Sequence, residues 1–175
     1  YAFEKILESV DKRKEGATIF AYHVNDPERY GVISMGGNGL PERIVEKPIQ
    51  FVSNNAVTGL YFYDHNAPEF CRALSPSARN EIEITDLNKL YLASNNLNVV
   101  HLDESSAWMD AGTFSSLHDS SSYIASMQKR IGAPIGSPEY AALNNSFITA
   151  AEILAILDKS PNNEYYQLLR KALDL

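Results

Sequence analysis

The sequence predicts an α/β fold with a mixed sheet and a helical C-terminal appendage. Compact runs of β-branched and aromatic residues at 17–23, 56–63 and 97–102 alternate with helix-period segments as far as about Arg130. Hairpin chemistry at Gly36-Gly37-Asn38-Gly39 joins two further short strands. Beyond Gly132 the strand patterns stop and three short helical patterns follow. The expected division is therefore a core over residues 1–132 and a helical segment over 133–175.

Each element has its own signal. Phe3, Ile6, Leu7 and Val10 recur at helical spacing, so the first dozen residues read as an amphipathic helix that Gly16 ends. Residues 17–23 form an apolar strand, and Asn25-Asp26-Pro27-Glu28-Arg29 is turn chemistry. A strand over 30–34 leads through the glycine turn into a second over 40–46, which Pro48 breaks. The run Ala56-Val57-Thr58-Gly59-Leu60-Tyr61-Phe62-Tyr63 is the strongest strand signal. Pro68 opens a helix over 69–74. Thr85 or Asp86 is expected to cap another, with Leu87, Leu90 and Tyr91 on one face. A long helix follows from Thr113 to about Arg130, with Leu117, Tyr123, Ile124 and Met127 as its apolar residues. The tail patterns fall near 138–143, 149–157 and 164–173.

Charge and composition exclude several functions. Fifteen basic against twenty-two acidic residues give a net charge of −7, and the one basic run, Lys12-Arg13-Lys14, sits between Asp11 and Glu15. Nucleic acid needs a concentrated basic face, so it is not an expected partner. No apolar run approaches the roughly 20 residues that span a bilayer, so no membrane association is expected. The single Cys71 excludes an internal disulfide and fits a reducing compartment. The chain opens at Tyr1 directly into a helical pattern, which suggests that a preceding segment is missing.

Two stretches carry candidate chemistry. Ala107-Trp108-Met109-Asp110-Ala111-Gly112-Thr113 places a carboxylate beside an aromatic ring at a strand-to-helix junction. Asp110 there suits magnesium, which favours one or two carboxylates completed by phosphate oxygens and water. The plainer reading makes Asp110 a helix N-cap and Trp108 a core residue. About sixty residues upstream, Glu46 and Lys47 precede Pro48 at a strand end. A strand points neighbours to opposite faces, but an end or bulge lets both reach one pocket. The lysine suits a phosphate and the carboxylate suits sugar hydroxyls; two solvated charges are the alternative. Gly31 and Gly59 mark either a close approach or a bulge. His23 is expected to be a core residue; His65, His101 and His118 lack metal-type spacing. The glycine turn at 36–39 lacks the Lys-Ser/Thr of a phosphate loop.

These residues resemble the glucose-1-phosphate thymidylyltransferases. The matching stretches run from Gly16 to Val24, from Asp26 to Val32, over Glu46-Lys47-Pro48, from Ala56 to Asp64, over Glu83-Ile84-Thr85-Asp86, and from Trp108 to Thr113. Pro76-Ser77-Ala78-Arg79 ahead of Glu83 narrows the resemblance to the thymidylyl branch. The resemblance implies a mixed-sheet, Rossmann-like nucleotidyltransferase core, incomplete here, with the helical appendage. It implies that Lys47 binds the sugar phosphate and Glu46 the sugar hydroxyls. Gly31, Val57 and Gly59 line the sugar pocket, Tyr30, Tyr61 and Trp108 shape its walls, and Asp110 binds Mg2+. The implied substrates are glucose-1-phosphate and dTTP, the product is dTDP-glucose for rhamnose-type sugars, and the implied setting is a cytoplasmic homotetramer.

Two departures stand out. Family members begin with a glycine-rich GGxGTRL loop and a Gly-Asp-Asn segment, neither of which occurs in this sequence. The chain alone is therefore expected to be inactive, because the parts of a catalytic site act as a unit. Many relatives carry Cys-Pro-Glu-Glu and a nearby Arg where this chain has Ser137-Pro138-Glu139-Tyr140 and Asn144, so dTDP-rhamnose feedback is expected to be altered or absent. The alternatives are a uridylyl or cytidylyl relative, and a non-catalytic assembly subunit that binds sugar phosphate.

Overall fold

The computed structural model describes residues 2–173, with side chains from residue 5 onward. It forms two compact units, residues 1–108 and residues 109–175. This division by compactness groups the long helix with the tail.

In the first unit, helix α1 (Ala2–Asp11) precedes strand β1 (Ala17–His23), and Val10 is buried. The side chain of Phe3 lies outside the described residues. A single 3₁₀ turn at Pro27–Arg29 leads to β2 (Gly31–Met35) and β3 (Pro41–Glu46), then β4 (Asn55–Tyr63). Helices α2 (Ala67–Ala73) and α3 (Ile84–Ala93) precede β5 (Leu97–His101). The sheet order is β3-β2-β4-β1-β5. Strands β1 and β5 are parallel and the other pairs antiparallel, so the sheet is mixed, as the alternation of elements predicts.

The chemistry of the turns fixes this order. Gly36 N–H donates to the Leu40 carbonyl and Gly39 N–H to that of Gly36, closing the β2–β3 hairpin. Gly16 has φ +85°, and a Cβ there would lie 2.5 Å from the Asn96 carbonyl oxygen, so only glycine lets β1 start beside β5. Ala17, Ile19 and Ala21 of β1 pack with Ile33, Ile44, Val57, Leu87 and Tyr91 into one core. Burial of this kind supplies most of the driving force for the fold.

Three sequence expectations are corrected. Glu83 rather than Thr85 or Asp86 is the N-cap residue of α3, and no side chain caps it. The buried stripe runs through Thr85, Leu87, Asn88 and Tyr91, which leaves Leu90 about 100° round the helix and exposed. His23 is exposed, because it ends β1 beyond the buried run 17–21.

In the second unit, α4 (Phe114–Ile131) starts with a reciprocal cap: Thr113 Oγ1 accepts from Ser116 N–H, and Ser116 Oγ accepts from Thr113 N–H. It ends at Ile131, close to the expected Arg130, with Gly132 as its C-cap, and none of its residues is buried. Helices α5 (Pro138–Asn144), α6 (Ala150–Lys159) and α7 (Glu164–Ala172) follow the three tail patterns. Ile153, Leu157 and Leu169 form their core. Ser137, Thr149 and Asn163 cap these helices in turn.

Candidate functional site

The chemistry of the first unit gathers where β3 ends. Glu46 is the last residue of β3, paired across the ladder with Gly31, the first residue of β2. Lys47 follows with φ +41°, a left-handed conformation that β-strands do not use. Its N–H donates to the Tyr30 carbonyl at 2.9 Å, and the buried Pro48 holds the next position. The break in strand geometry is the device by which consecutive side chains escape the up-down alternation of a strand.

Glu46 sits in a fitted corner. Thr85 Oγ1 donates to Glu46 Oε2 at 2.5 Å. A Cβ on Gly31 would lie 3.0 Å from that same oxygen and 3.1 Å from Thr85 Oγ1. Gly31 therefore marks a close approach, between a backbone and a carboxylate. Arg79 Nη2 stands 3.8 Å from Glu46 Oε1. That guanidinium is itself held by Glu83, whose Oε1 accepts from Arg79 Nε at 3.1 Å and Nη2 at 2.9 Å. Glu83 is only 9% exposed, and Ser77 Oγ also donates to it. The Ser77 hydroxyl and the Arg79 guanidinium hold its carboxyl below the usual range, with a smaller contribution from the Lys47 charge. On Tyr61, burial and then the Glu46 charge push the phenol up.

A second group of predicted residues meets around Trp108. The Tyr30 ring packs edge-on against it at 5.1 Å and the Tyr22 ring lies 6.0 Å away. Arg29 sits over the Tyr30 ring at 5.2 Å. Trp108, Gly59 and Leu60 line a cavity of about 600 Å³ with Leu102, Asp103 and Ala107. Tyr30 connects the two groups, through its ring to Trp108 and through its carbonyl to Lys47. Val57 is in the core, so its side chain packs and only its backbone is offered to a ligand. Gly59 marks a bulge: between Tyr61 and Val57 the β4 register shifts against β1, and a Cβ on Gly59 would meet nothing within 4 Å.

Asp110 belongs to the second unit and is not a helix cap; Thr113 takes that role. Its carboxylate accepts from Gly112 N–H at 3.0 Å and from Ser116 Oγ at 3.3 Å, and its carbonyl accepts from Ser120 Oγ. Among the described residues no group of three or more His, Cys, Asp or Glu side chains could hold a metal. A hard divalent ion such as Mg2+ still fits this donor set. A single carboxylate suffices when phosphate oxygens and water complete the shell.

The structure adds three residues that the sequence reading did not place in the site: Thr85, Arg79 and Glu83. All lie in stretches quoted for the family resemblance, and that was the available signal. The meeting of Arg79 and Thr85 with Glu46, 33 and 39 positions away in sequence, is a tertiary fact.

Known proteins resemble this chain in sequence and in fold. A sequence model described as nucleotidyl transferase matches residues 1–127. A glucose-1-phosphate thymidylyltransferase of Xanthomonas campestris is 43% identical over 163 residues, 93% of this chain and 55% of that protein. One from Neisseria meningitidis is 39% identical, covering 98% of this chain and 60% of that protein. One from Mycobacterium tuberculosis is 38% identical, covering 89% of this chain and 56% of that protein. The chain thus spans 55–60% of the length of these relatives. A Bacillus anthracis crystal structure, assigned as a glucose-1-phosphate thymidylyltransferase in complex with a sucrose, superposes with a TM-score of 0.61. It is 37% identical and covers 69% of this chain and 48% of its own. A match of that extent, on a mixed sheet with the Glu-Lys-Pro turn at its edge, means that the chain belongs to the nucleotidyl transferase family.

Proposed function

We propose that this chain supplies the sugar-phosphate side of a glucose-1-phosphate thymidylyltransferase. In the reaction, a phosphate oxygen of glucose-1-phosphate attacks the α-phosphorus of dTTP in line. The new P–O bond replaces the bond to the β-phosphate, and pyrophosphate leaves with dTDP-glucose as the product. The nucleophile is already an anion, so positioning and charge neutralisation suffice, without a covalent intermediate.

The observation that carries this reading is the Glu46–Lys47 turn. Glu46 offers a carboxylate fixed by Thr85 against Gly31 to the sugar hydroxyls. Lys47, exposed and turned out of the strand by its positive φ, offers its ammonium to the phosphate. Tyr30, Gly31, Val57, Gly59, Tyr61 and Trp108 form the remainder of the sugar pocket. Asp110 would hold Mg2+, which would supply positive charge to offset that of the phosphates. Catalysis requires a glycine-rich cradle for the triphosphate, which this sequence does not contain, so the chain alone is inactive.

Residues 133–175 serve oligomerisation, with a homotetramer as the expected assembly, and the protein works in the cytoplasm. Within the second unit, Glu139 already accepts from Tyr165 Oη and Ser137 Oγ. Its engagement there, together with Asn144 in place of a cation, supports altered dTDP-rhamnose feedback.

Calorimetric titration with glucose-1-phosphate tests the binding half. Saturable binding that Lys47→Ala weakens is expected, and no binding by the unaltered chain would overturn the reading. Pyrophosphate release from dTTP is expected only when a relative's glycine-rich segment is joined to the chain. Efficient release by this chain alone would show that the inactivity is misassigned.

A further inference from the structure

We infer that Thr85 is a positioning residue for sugar recognition, acting through Glu46 rather than on the substrate. The inference rests on the proposed role of Glu46 as the acceptor of sugar hydroxyls. Thr85 lies in the first turn of α3, where a threonine ordinarily caps, yet no side chain caps this helix. Its hydroxyl is directed instead across 39 positions of sequence to Glu46 Oε2. The residue is 2% exposed, so its hydroxyl is covered while Glu46, with its side chain 23% exposed, keeps a face open to solvent.

The two sides of the corner are complementary. Gly31 leaves room for the carboxylate, and an added Cβ would press on both Glu46 Oε2 and Thr85 Oγ1. Thr85 supplies the hydrogen bond that selects one orientation of the carboxylate within that room. A hydroxyl donor to an ionised acceptor is stronger than a neutral pair, so it can outweigh the rotational freedom of a glutamate side chain. With Oε2 tied to Thr85, Oε1 faces the Arg79 side of the corner. Thr85 thereby sets which hydroxyl geometry is accepted, although it offers the substrate no atom of its own.

A double-mutant cycle on glucose-1-phosphate binding by this chain tests the inference. Thr85→Val is expected to weaken binding roughly tenfold and Thr85→Ser to restore it, because serine keeps the hydroxyl. In a Glu46→Ala background, Thr85→Val is expected to change nothing further, since the group it positions is gone. A comparable loss in that background would overturn the inference, by showing that Thr85 acts on the sugar directly. Should Glu46→Ala itself leave binding unchanged, the reading of Glu46 fails, and the inference with it. Thermal melting of each variant separates these outcomes from unfolding; if Thr85→Val does not fold, Thr85→Ala takes its place in the cycle. Loss of binding in the folded Thr85→Ser variant would also count against the hydroxyl as the operative group.

Discussion

Glu46 of the first unit and Asp110 of the second are both carboxylates with a proposed ligand, and their surroundings differ in kind. Glu46 is held from four elements of the first unit: β2 through Gly31, its own β3, the 74–83 loop through Arg79, and α3 through Thr85. The Asp110 carboxylate accepts from Gly112 N–H and Ser116 Oγ, two and six residues further along the chain. The first arrangement fixes an acceptor in place before a ligand arrives, which suits discrimination among hydroxyls. The second presents oxygen atoms on a local loop, which suits a metal ion whose shell is completed by ligands from elsewhere. A site built by tertiary packing recognises shape; a site built by local turns supplies charge.

That difference sets an order of expected effects. The largest belongs to Gly31→Ala. Its methyl would fall 3.0 Å from Glu46 Oε2 and 3.1 Å from Thr85 Oγ1, so both atoms must shift by a few tenths of an ångström. Overpacking of this sort costs about 1–3 kcal/mol, read by urea unfolding, and sugar-phosphate binding is expected to be lost with it. A silent Gly31→Ala would break the claim that the corner is fitted.

Lys47→Ala is next. Loss of one charge-assisted contact to phosphate is worth about 1.5–3 kcal/mol, or roughly ten- to a hundredfold in affinity for glucose-1-phosphate. Titration with glucose as well as glucose-1-phosphate checks the assignment, because the affinity for glucose should be unchanged.

A smaller effect is expected at acid pH. Burial pushes the Asp64 carboxyl up, but the N–H of Gly16, the Tyr91 hydroxyl and the Asn66 donors outweigh it and hold the value at about 2, below the ordinary 3.8. A depressed carboxyl stabilises the fold fully above its unfolded value. That contribution is lost as pH falls from 3.8 toward 2. Urea unfolding over this range should show a steeper acid loss in the unaltered chain than in Asp64→Asn.

The smallest effect on stability is expected at Asp110. Asp110→Ala removes the acceptor of the exposed Gly112 N–H and of the Ser116 hydroxyl, and unfolding free energy should change by about 1 kcal/mol. Any binding of Mg2+ in the presence of a sugar nucleotide should nevertheless disappear, as followed by titration with Mn2+ as a paramagnetic probe. A large stability change would show that Asp110 is a packing residue and that the contrast with Glu46 is false.

Much of the fold could be read from local pattern. The apolar run 17–21, the glycine turn at 36–39, the helix over 114–131 and the three tail helices all follow from periodicity and caps within a few residues. Asn55–Tyr63 was legible for the same reason, its β-branched and aromatic residues favouring an extended, pleated chain. The places where local reading failed are informative. Thr85 looks like a helix cap because its type and position fit one; it does something else because a carboxylate from β3 competes for its hydroxyl. Leu90 looks apolar enough to be buried, but the face of α3 was chosen by Leu87 and Tyr91 against the sheet. The two glycines that both signalled a special backbone were separated only by their neighbours, a carboxylate at Gly31 and open space at Gly59.

The sequence by itself determined the element types, the mixed sheet and the residue chemistry of the Glu46–Lys47 turn, since these depend on spacing, side-chain type and turn preference over short range. Tertiary structure alone decided that Thr85 and Arg79 would reach Glu46, that Lys47 would adopt a positive φ, and that Trp108 would meet Tyr30. Those outcomes depend on which distant strands and helices share an edge of the sheet. Local propensity carries no information about that, because the relevant energies are burial and hydrogen bonding between segments tens of residues apart.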